Sequence, residues 1–484
     1  MPQTLNVLFL AAEADPFVKV GGLGDVAGAL PRALRSLSTE VLGESRLDLR
    51  IVLPYHNAVR AEGLRPLAVY PLPRGGAEVQ VEVFEGEVGG IPVYFISGEP
   101  IRSSGSVYSL KAEQDAEKYI FFSLAAVELP RQLGWSVNLL HANDWHTAAA
   151  LYSNLTKRWQ EGARRVASLL TLHNLPFMGS DVAEILAAYG LPMAQTDLPE
   201  WARVRPLPLG LWAADAIVPV SPTYAEEILG PEFGCGLQEF LAARRENIHG
   251  ILNGIDTASY NPTDDPAIAL PFSVLTLEDR PRNKEAVQKR LGLPLDPGVP
   301  LFGMVSRMDK QKGMDLAIKT LRSLKENFQV AILGAGDPEL EQTALAFQSE
   351  HMENVRVETR FDAELARQIY AGTDMFLMPS RYEPCGLSQM IAMRYGCVPI
   401  VSGVGGLRDT VTRETGFVFN KLVVQSFSAA IRAALRAFSD HERWRQYQRA
   451  GMTMDFSWMN SAREYLALYQ SLVQETTQAS SGIS

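Results

Sequence analysis

Three clusters hold the side chains best suited to chemistry: Lys19 just ahead of Gly21 and Gly22, Arg307 and Lys312 five residues apart, and Glu383 with Gly405 and Gly406 about one βαβ unit beyond it. Glycines at a strand-to-helix turn let a backbone approach a ligand closely, and a helix N-terminus offers free N–H groups and a positive dipole end to an anion. In KVGGLGDV, Lys19 beside such amides would complete a diphosphate cradle; the alternative is a purely structural turn. In SRMDKQKG, Arg307 and Lys312 converging on one point would stabilise negative charge building on a leaving phosphate; the alternative is a solvated basic loop. Glu383 is unsuited to phosphate but suited to hydroxyls. The segment PSRYEPCGLSQMIAMRYGCVPIVSGVGGLRDT therefore reads as a site for a ligand that is both sugar and phosphate. LGAGD, with Gly336, offers backbone amides or a carboxylate to a nucleotide, or is a plain turn.

Two further segments, HANDWHT and TLHNLPFMG, put His141, Asp144, His146, His173 and Asn174 directly after apolar runs. Zinc ligation by His141, Asp144, His146 and His173 is conceivable, but no His-x-x-x-His or cysteine spacing supports it, and no metal is expected. Binding of sugar hydroxyls, which need fixed donors and acceptors, suits the cluster better. In VSPTYAEEI, Ser221 before Pro222 marks a helix start and is read as structural.

These residues must be carried by strand ends. Short apolar runs at Asn6 to Ala12, Leu49 to Leu53, Val93 to Ile96, Leu139-Leu140, Ser168 to Leu172 and Ala216 to Val220 alternate with helix-like stretches such as Tyr119 to Leu133. A second series begins at Leu301 to Val305 and continues through Val330 to Leu333, Val355 to Glu358, Met375 to Met378 and Val398 to Val401. Alternation of this kind predicts an α/β fold: two facing Rossmann-like, doubly wound parallel-sheet domains with a hinge near residue 260 and the active site in the interdomain cleft. In such sheets ligands bind outside the carboxyl ends of the strands. The expected boundaries are 1–258, 259–455, a last helix over 456–475, and a disordered small, polar tail over 476–484.

The 484 residues contain 46% hydrophobic residues, enough for two or three buried cores. A formal charge of -10 argues against nucleic acid and anionic membrane surfaces as partners. Three scattered cysteines form neither a disulfide framework nor a zinc site, and the opening MPQTLNVLFLAAEAD reads as a first strand and not a signal peptide, so a reducing cytoplasm is expected.

Ten segments in the same order, among them KVGGLGDVAGALP, HANDWHTA, TLHNLPFMG, VSPTYAEEI, GILNGID, SRMDKQKGMDL, PSRYEPCGLSQMIAMRYG and GGLRDTV, resemble the bacterial ADP-glucose-dependent glycogen synthases and plant starch synthases. The resemblance implies the GT-B fold, with a last helix crossing back to the amino-terminal domain. It also implies transfer of glucose from ADP-glucose to the non-reducing 4-hydroxyl of an α-1,4-glucan (glycogen), with retention and without cofactor or metal. By matching motif, Arg307 and Lys312 would hold the departing diphosphate, aided by Lys19, Gly21 and Gly22, with Gly405 and Gly406 on the nucleotide side. Glu383, Cys385, Gly386 and Leu387 would hold the donor sugar. His173 would lie against the reacting glucose with Asp144, Asn174 and Asn253 near it, and Phe361 against adenine. No single motif supplies a second carboxylate at nucleophile range, which favours front-face attack over double displacement. The chain departs from the family pattern chiefly in its amino-terminal half, at Glu113 to Ala116, Tyr119-Ile120 and Pro208. Those departures leave open a different acceptor or a weakly active glucan-binding paralogue.

Overall fold

A computed structural model describes residues 4–43, 45–60, 62–109, 112–158, 166–193 and 195–481. The chain forms two compact units, one of Met1–Gly254 with Trp458–Ser484 and one of Ile255–Ser457. The division falls after Gly254 and not after residue 258 because Ile255 already belongs to the second unit: its N–H donates to the Phe456 carbonyl at 2.8 Å.

In the first unit, eight strands occur in the order β3-β4-β5-β2-β1-β6-β7-β8. They are β1 (Thr4–Leu10), β2 (Arg46–Pro54), β3 (Arg65–Arg74), β4 (Ala77–Val88), β5 (Ile91–Ser97), β6 (Leu139–Asn143), β7 (Ala167–Leu172) and β8 (Ala216–Pro219). The central strands pair in parallel, but β3, β4 and β5 are antiparallel, a hairpin extension that the sequence reading lacked. Its outer strand, with Tyr70 and Leu72 buried between exposed neighbours, is hidden in the sequence by Pro66, Pro71 and Pro73, which read against a strand. The buried strands β6, β7 and β8 have no exposed position, as strands covered on both faces require.

The last helix, Trp458–Ser481, joins this unit's core through Trp458, Ala462, Tyr465, Leu466, Tyr469, Leu472 and Val473, which recur every three or four residues. Burying each large side chain contributes roughly 1.5–3 kcal/mol. Tyr469 also fixes His141: its hydroxyl lies 2.6 Å from Nδ1, and Thr171 Oγ1 lies 2.8 Å from Nε2. The expectation of a disordered tail from residue 476 is corrected. The helix runs through Ser481, with Thr476 buried against the unit and the Thr476 and Thr477 hydroxyls satisfied on the Leu472 and Val473 carbonyls four residues back. Residues 482–484 of that tail lie outside the described residues.

The second unit is an all-parallel sheet in the order β11-β10-β9-β12-β13-β14. Its strands are β9 (Leu301–Val305), β10 (Gln329–Leu333), β11 (Val355–Glu358), β12 (Met375–Met378), β13 (Val398–Ser402) and β14 (Phe417–Phe419). Both sheets reverse their winding once, between β1 and β6 and between β9 and β12. Those reversals are where an α/β sheet leaves a crevice at its carboxyl edge.

Candidate active site

In the second unit, the loops leaving β9 and β12 are neighbours at the switch point. Lys312, from the first, points its ammonium at both carboxylate oxygens of Glu383, from the second, at 2.8 and 2.7 Å. Ser380 Oγ donates to the same carboxylate at 2.9 Å, and Glu383 is buried. The pairing satisfies a charge that would be costly in isolation. Arg307 does not converge on the same point. Its side chain is 62% exposed and pairs with Asp309 at 3.2 Å, while Asp309 also accepts the Lys312 N–H at 2.9 Å.

Two contacts zip the loops together. The Arg381 N–H donates to the Gln311 carbonyl at 2.8 Å, and its guanidinium grips Asp315 at 2.9 and 2.7 Å. Asp309, Ser380, Arg381 and Asp315 were not singled out from the sequence. Only Asp309, lying between Arg307 and Lys312, carried a local signal.

Gly405 and Gly406 serve a different need from the one expected of them. A Cβ on Gly405 would lie 2.0 Å from the Glu383 carbonyl oxygen, and its φ of 43° is left-handed. The Gly406 N–H donates to that same carbonyl at 3.1 Å. These glycines let the β13 loop close onto the backbone of Glu383. Gly405→Ala is expected to lower stability by about 2–5 kcal/mol through strain and overpacking and to lower turnover by displacing Glu383. Thermal unfolding and initial rates check this, and a wild-type melting temperature would refute it.

Cys385 is buried, and the Gln389 amide donates to the carbonyls of Cys385 and Gly386 at 3.2 and 2.7 Å, just where Leu387 leads into the helix Ser388–Arg394. Gly336 follows β10 and Phe361 follows β11, so both share the carboxyl edge, one and two strands from β9. The Gly336 N–H is occupied, donating to Glu341 at 2.7 Å, which corrects its reading as a free amide. The Phe361 ring is 90% exposed, leaving its faces open for stacking.

In the first unit, the loops after β1, β6 and β7 meet. Asp144 is buried at φ 54°, and its Oδ1 accepts the His173 N–H at 2.7 Å. Burial pushes its carboxyl up to about 7, against the pull of the His173 and Asn174 amides and with a further upward push from Glu13. The His173 ring lies 2.9 Å through Nε2 from Asn143 Oδ1, and burial drops it to about 3, so the imidazole is neutral. The amide of Asn143 is oriented by its own bond to the Leu10 carbonyl at 2.9 Å. Its Oδ1 therefore faces His173 and requires a proton on Nε2, leaving Nδ1 as an acceptor. Asn174 and Asn253 each keep a buried side-chain oxygen without a hydrogen-bond partner among the described residues. Asn253 is placed by its N–H donating to the Val220 carbonyl at 3.3 Å, at the end of β8.

The glycine loop departs from expectation. Its amides turn inward: Gly21 N–H donates to Glu13 at 3.1 and 3.2 Å, and Val20 N–H to the same carboxylate. Lys19 pairs with Asp25. Of the proposed cradle, Gly22 alone has open space around its α-carbon. Glu13 was missed because nothing local distinguishes it from any acid after a strand. His141, whose two nitrogens are both engaged, is a structural residue. Among the described residues no three His, Cys, Asp or Glu side chains gather where they could hold a metal ion.

Two doubly wound sheets of this kind are the fold of the GT-B glycosyltransferases, among which the structural neighbours of this chain fall. Residues 6–243 match the model of the starch synthase catalytic domain, and residues 286–451 that of glycosyl transferases group 1. The chain is 38% identical over 491 residues to a glycogen synthase of Streptococcus sanguinis, spanning 97% of this chain and 100% of that one. It is equally 38% identical over 489 residues to one of Syntrophotalea carbinolica, spanning 97% and 99%. Its structure superposes on the catalytic domain of starch synthase IV from Arabidopsis thaliana, solved with ADP and acarbose, at a TM-score of 0.87 and 32% identity, covering 98% of this chain and 100% of that one. A sucrose-phosphate synthase from Thermosynechococcus elongatus, 18% identical with a TM-score of 0.63 over 98% of this chain, shares the fold. The chain belongs to the glycogen and starch synthase family, as a glycosyltransferase of glycogen or starch synthesis.

Proposed function

We propose that this enzyme transfers glucose from ADP-glucose to the non-reducing 4-hydroxyl of an α-1,4-glucan, with retention of configuration and without a metal or cofactor. The observation that carries the reading is the pairing of half-buried Lys312 with buried Glu383 at the switch point. An ammonium has three donors, and two are spent on Glu383, so one remains for a departing diphosphate. Glu383 is held by Lys312, Ser380 and the closing glycine loop, and suits the hydroxyls of the donor sugar. Arg307 has the exposure to swing onto phosphate, and Phe361 has a free face for the adenine. The relative solved with ADP and acarbose supports both the nucleotide and the glucan side of this reading.

In the first unit, neutral His173 offers Nδ1 to a sugar hydroxyl, and the unpartnered oxygens of Asn174 and Asn253 suit the same partner. The three free cysteines suit a reducing cytoplasm, and among the described residues no helix is long and apolar enough to cross a membrane.

Incubation with radiolabelled ADP-glucose or UDP-glucose and glycogen tests the reading. Incorporation into glycogen from ADP-glucose, at least tenfold above UDP-glucose, is expected. Retention on glycogen with no incorporation from either donor would sink it.

A further inference from the structure

A buried ion pair in the first unit is used by nothing in the chemistry above. Lys118 and Asp115 lie in the first turns of the helix Ala112–Gln132, both buried, with Nζ 2.6 Å from Oδ1. A buried pair of this kind is weak evidence for stability, so its other contacts matter more. Among the described residues, their other hydrogen bonds reach one segment. Lys118 Nζ donates to the carbonyls of Ser106 and Val107 at 3.0 and 2.8 Å, and Asp115 accepts the Ser109 N–H and hydroxyl at 2.8 and 2.6 Å. Tyr119 adds a hydrogen bond from its hydroxyl to the Val107 carbonyl at 2.5 Å. The residue so clamped is Tyr108, whose hydroxyl donates to Glu13 at 2.9 Å. Glu13 in turn gathers the Val20 and Gly21 amides.

We propose that Asp115, Lys118 and Tyr119 are positioning residues for the glycine loop, acting through Tyr108 and Glu13. The helix start clamps residues 106–109, the clamp fixes the Tyr108 hydroxyl, and that hydroxyl fixes the carboxylate on which the loop amides are folded. The relay explains why a lysine and an aspartate are kept in a buried position where apolar residues would pack at no desolvation cost.

Hydrogen exchange measured by mass spectrometry on the full chain tests the relay, read on peptides covering residues 17–24. In Tyr108→Phe and in Lys118→Met, exchange there is expected to quicken about tenfold or more, the scale of a hydrogen bond to a charged group, while peptides across β6 and β7 keep their protection. The two lesions lie in series, so the double variant is expected to be no faster than the faster single one. Unchanged exchange at 17–24 in Tyr108→Phe, additive effects in the double variant, or uniform loosening of the whole unit would each overturn the relay. If Lys118→Met does not fold, Tyr108→Phe decides alone, since it removes one hydroxyl and keeps the ring. In parallel, the donor KM is expected to rise about tenfold, with kcat changed less. That kinetic arm rests on the diphosphate role that the family resemblance implies for Lys19, Gly21 and Gly22, whereas the exchange arm does not: a loosened loop with wild-type KM supports the relay and counts against the loop's part in donor binding.

Discussion

Lys312→Met should be among the most damaging single substitutions in the chain, lowering stability by about 3–5 kcal/mol and kcat by at least ~10²-fold. Methionine keeps most of the volume but removes the charge, and it leaves the Glu383 carboxylate buried with Ser380 as its remaining side-chain donor. The reverse lesion is milder. In Glu383→Gln the orphaned group is the ammonium, whose side chain is 19% exposed against 6% for its partner, so water can reach it. Denaturant unfolding should therefore rank Lys312→Met below Glu383→Gln, and the double Lys312→Met/Glu383→Gln above Lys312→Met alone. Turnover should not recover with the stability, because the double variant has lost both the Lys312 ammonium for the leaving diphosphate and the Glu383 carboxylate for the sugar. Near-normal turnover in Lys312→Met would reduce the pair to a structural tie and remove the ground for placing the donor there.

The strands that position this pair were legible in the sequence for a physical reason. Met375 to Met378 and Leu301 to Val305 are buried on both faces and read as uninterrupted apolar runs, and the loops that follow them carry compact motifs. The β3–β4 hairpin was not legible: β3 alternates exposed with half-buried or buried residues from Leu67 to Arg74, but Pro66, Pro71 and Pro73 interrupt the run and read against a strand. The site divides in the same way. Lys312 and Glu383 each announced themselves locally, and their meeting follows from β9 and β12 being neighbours. Arg307 was expected beside Lys312 from spacing alone, but spacing along a loop does not fix direction, and Asp309 turns the guanidinium away. The Gly21 and Gly336 amides were read as free because sequence cannot show which carboxylate reaches back to them. Glu341 is five residues from Gly336, and Glu13 eight from Gly21. Tyr108, 95 residues from Glu13, had no local signal at all.

Asp144→Asn should stabilise the protein, and the gain should depend on pH. The folded-state carboxyl is raised from 3.8 to about 7, mainly by burial. Between those values the folded chain holds a proton that the unfolded chain has released, so the wild-type loses stability as pH rises from about 4 to about 7 and carries the full penalty above it. A rise of that size costs at most about 4 kcal/mol. Asparagine carries no such penalty, tolerates the left-handed φ of 54° well, and can still accept the His173 N–H through Oδ1. Melting temperatures of the variant and the wild-type should nearly coincide at pH 4 and diverge, with the variant higher, by pH 8; an equal difference at both pH values would refute the origin of the effect. By the family resemblance Asp144 lies near the reacting glucose, so the same substitution is expected to lower kcat at least tenfold at pH 8, where the wild-type carboxylate is ionised. A residue that costs stability when ionised, where a one-atom change would relieve the cost, is a candidate for a functional group. Higher stability together with lower turnover in one variant is therefore the outcome that separates a functional Asp144 from one that merely braces the His173 loop.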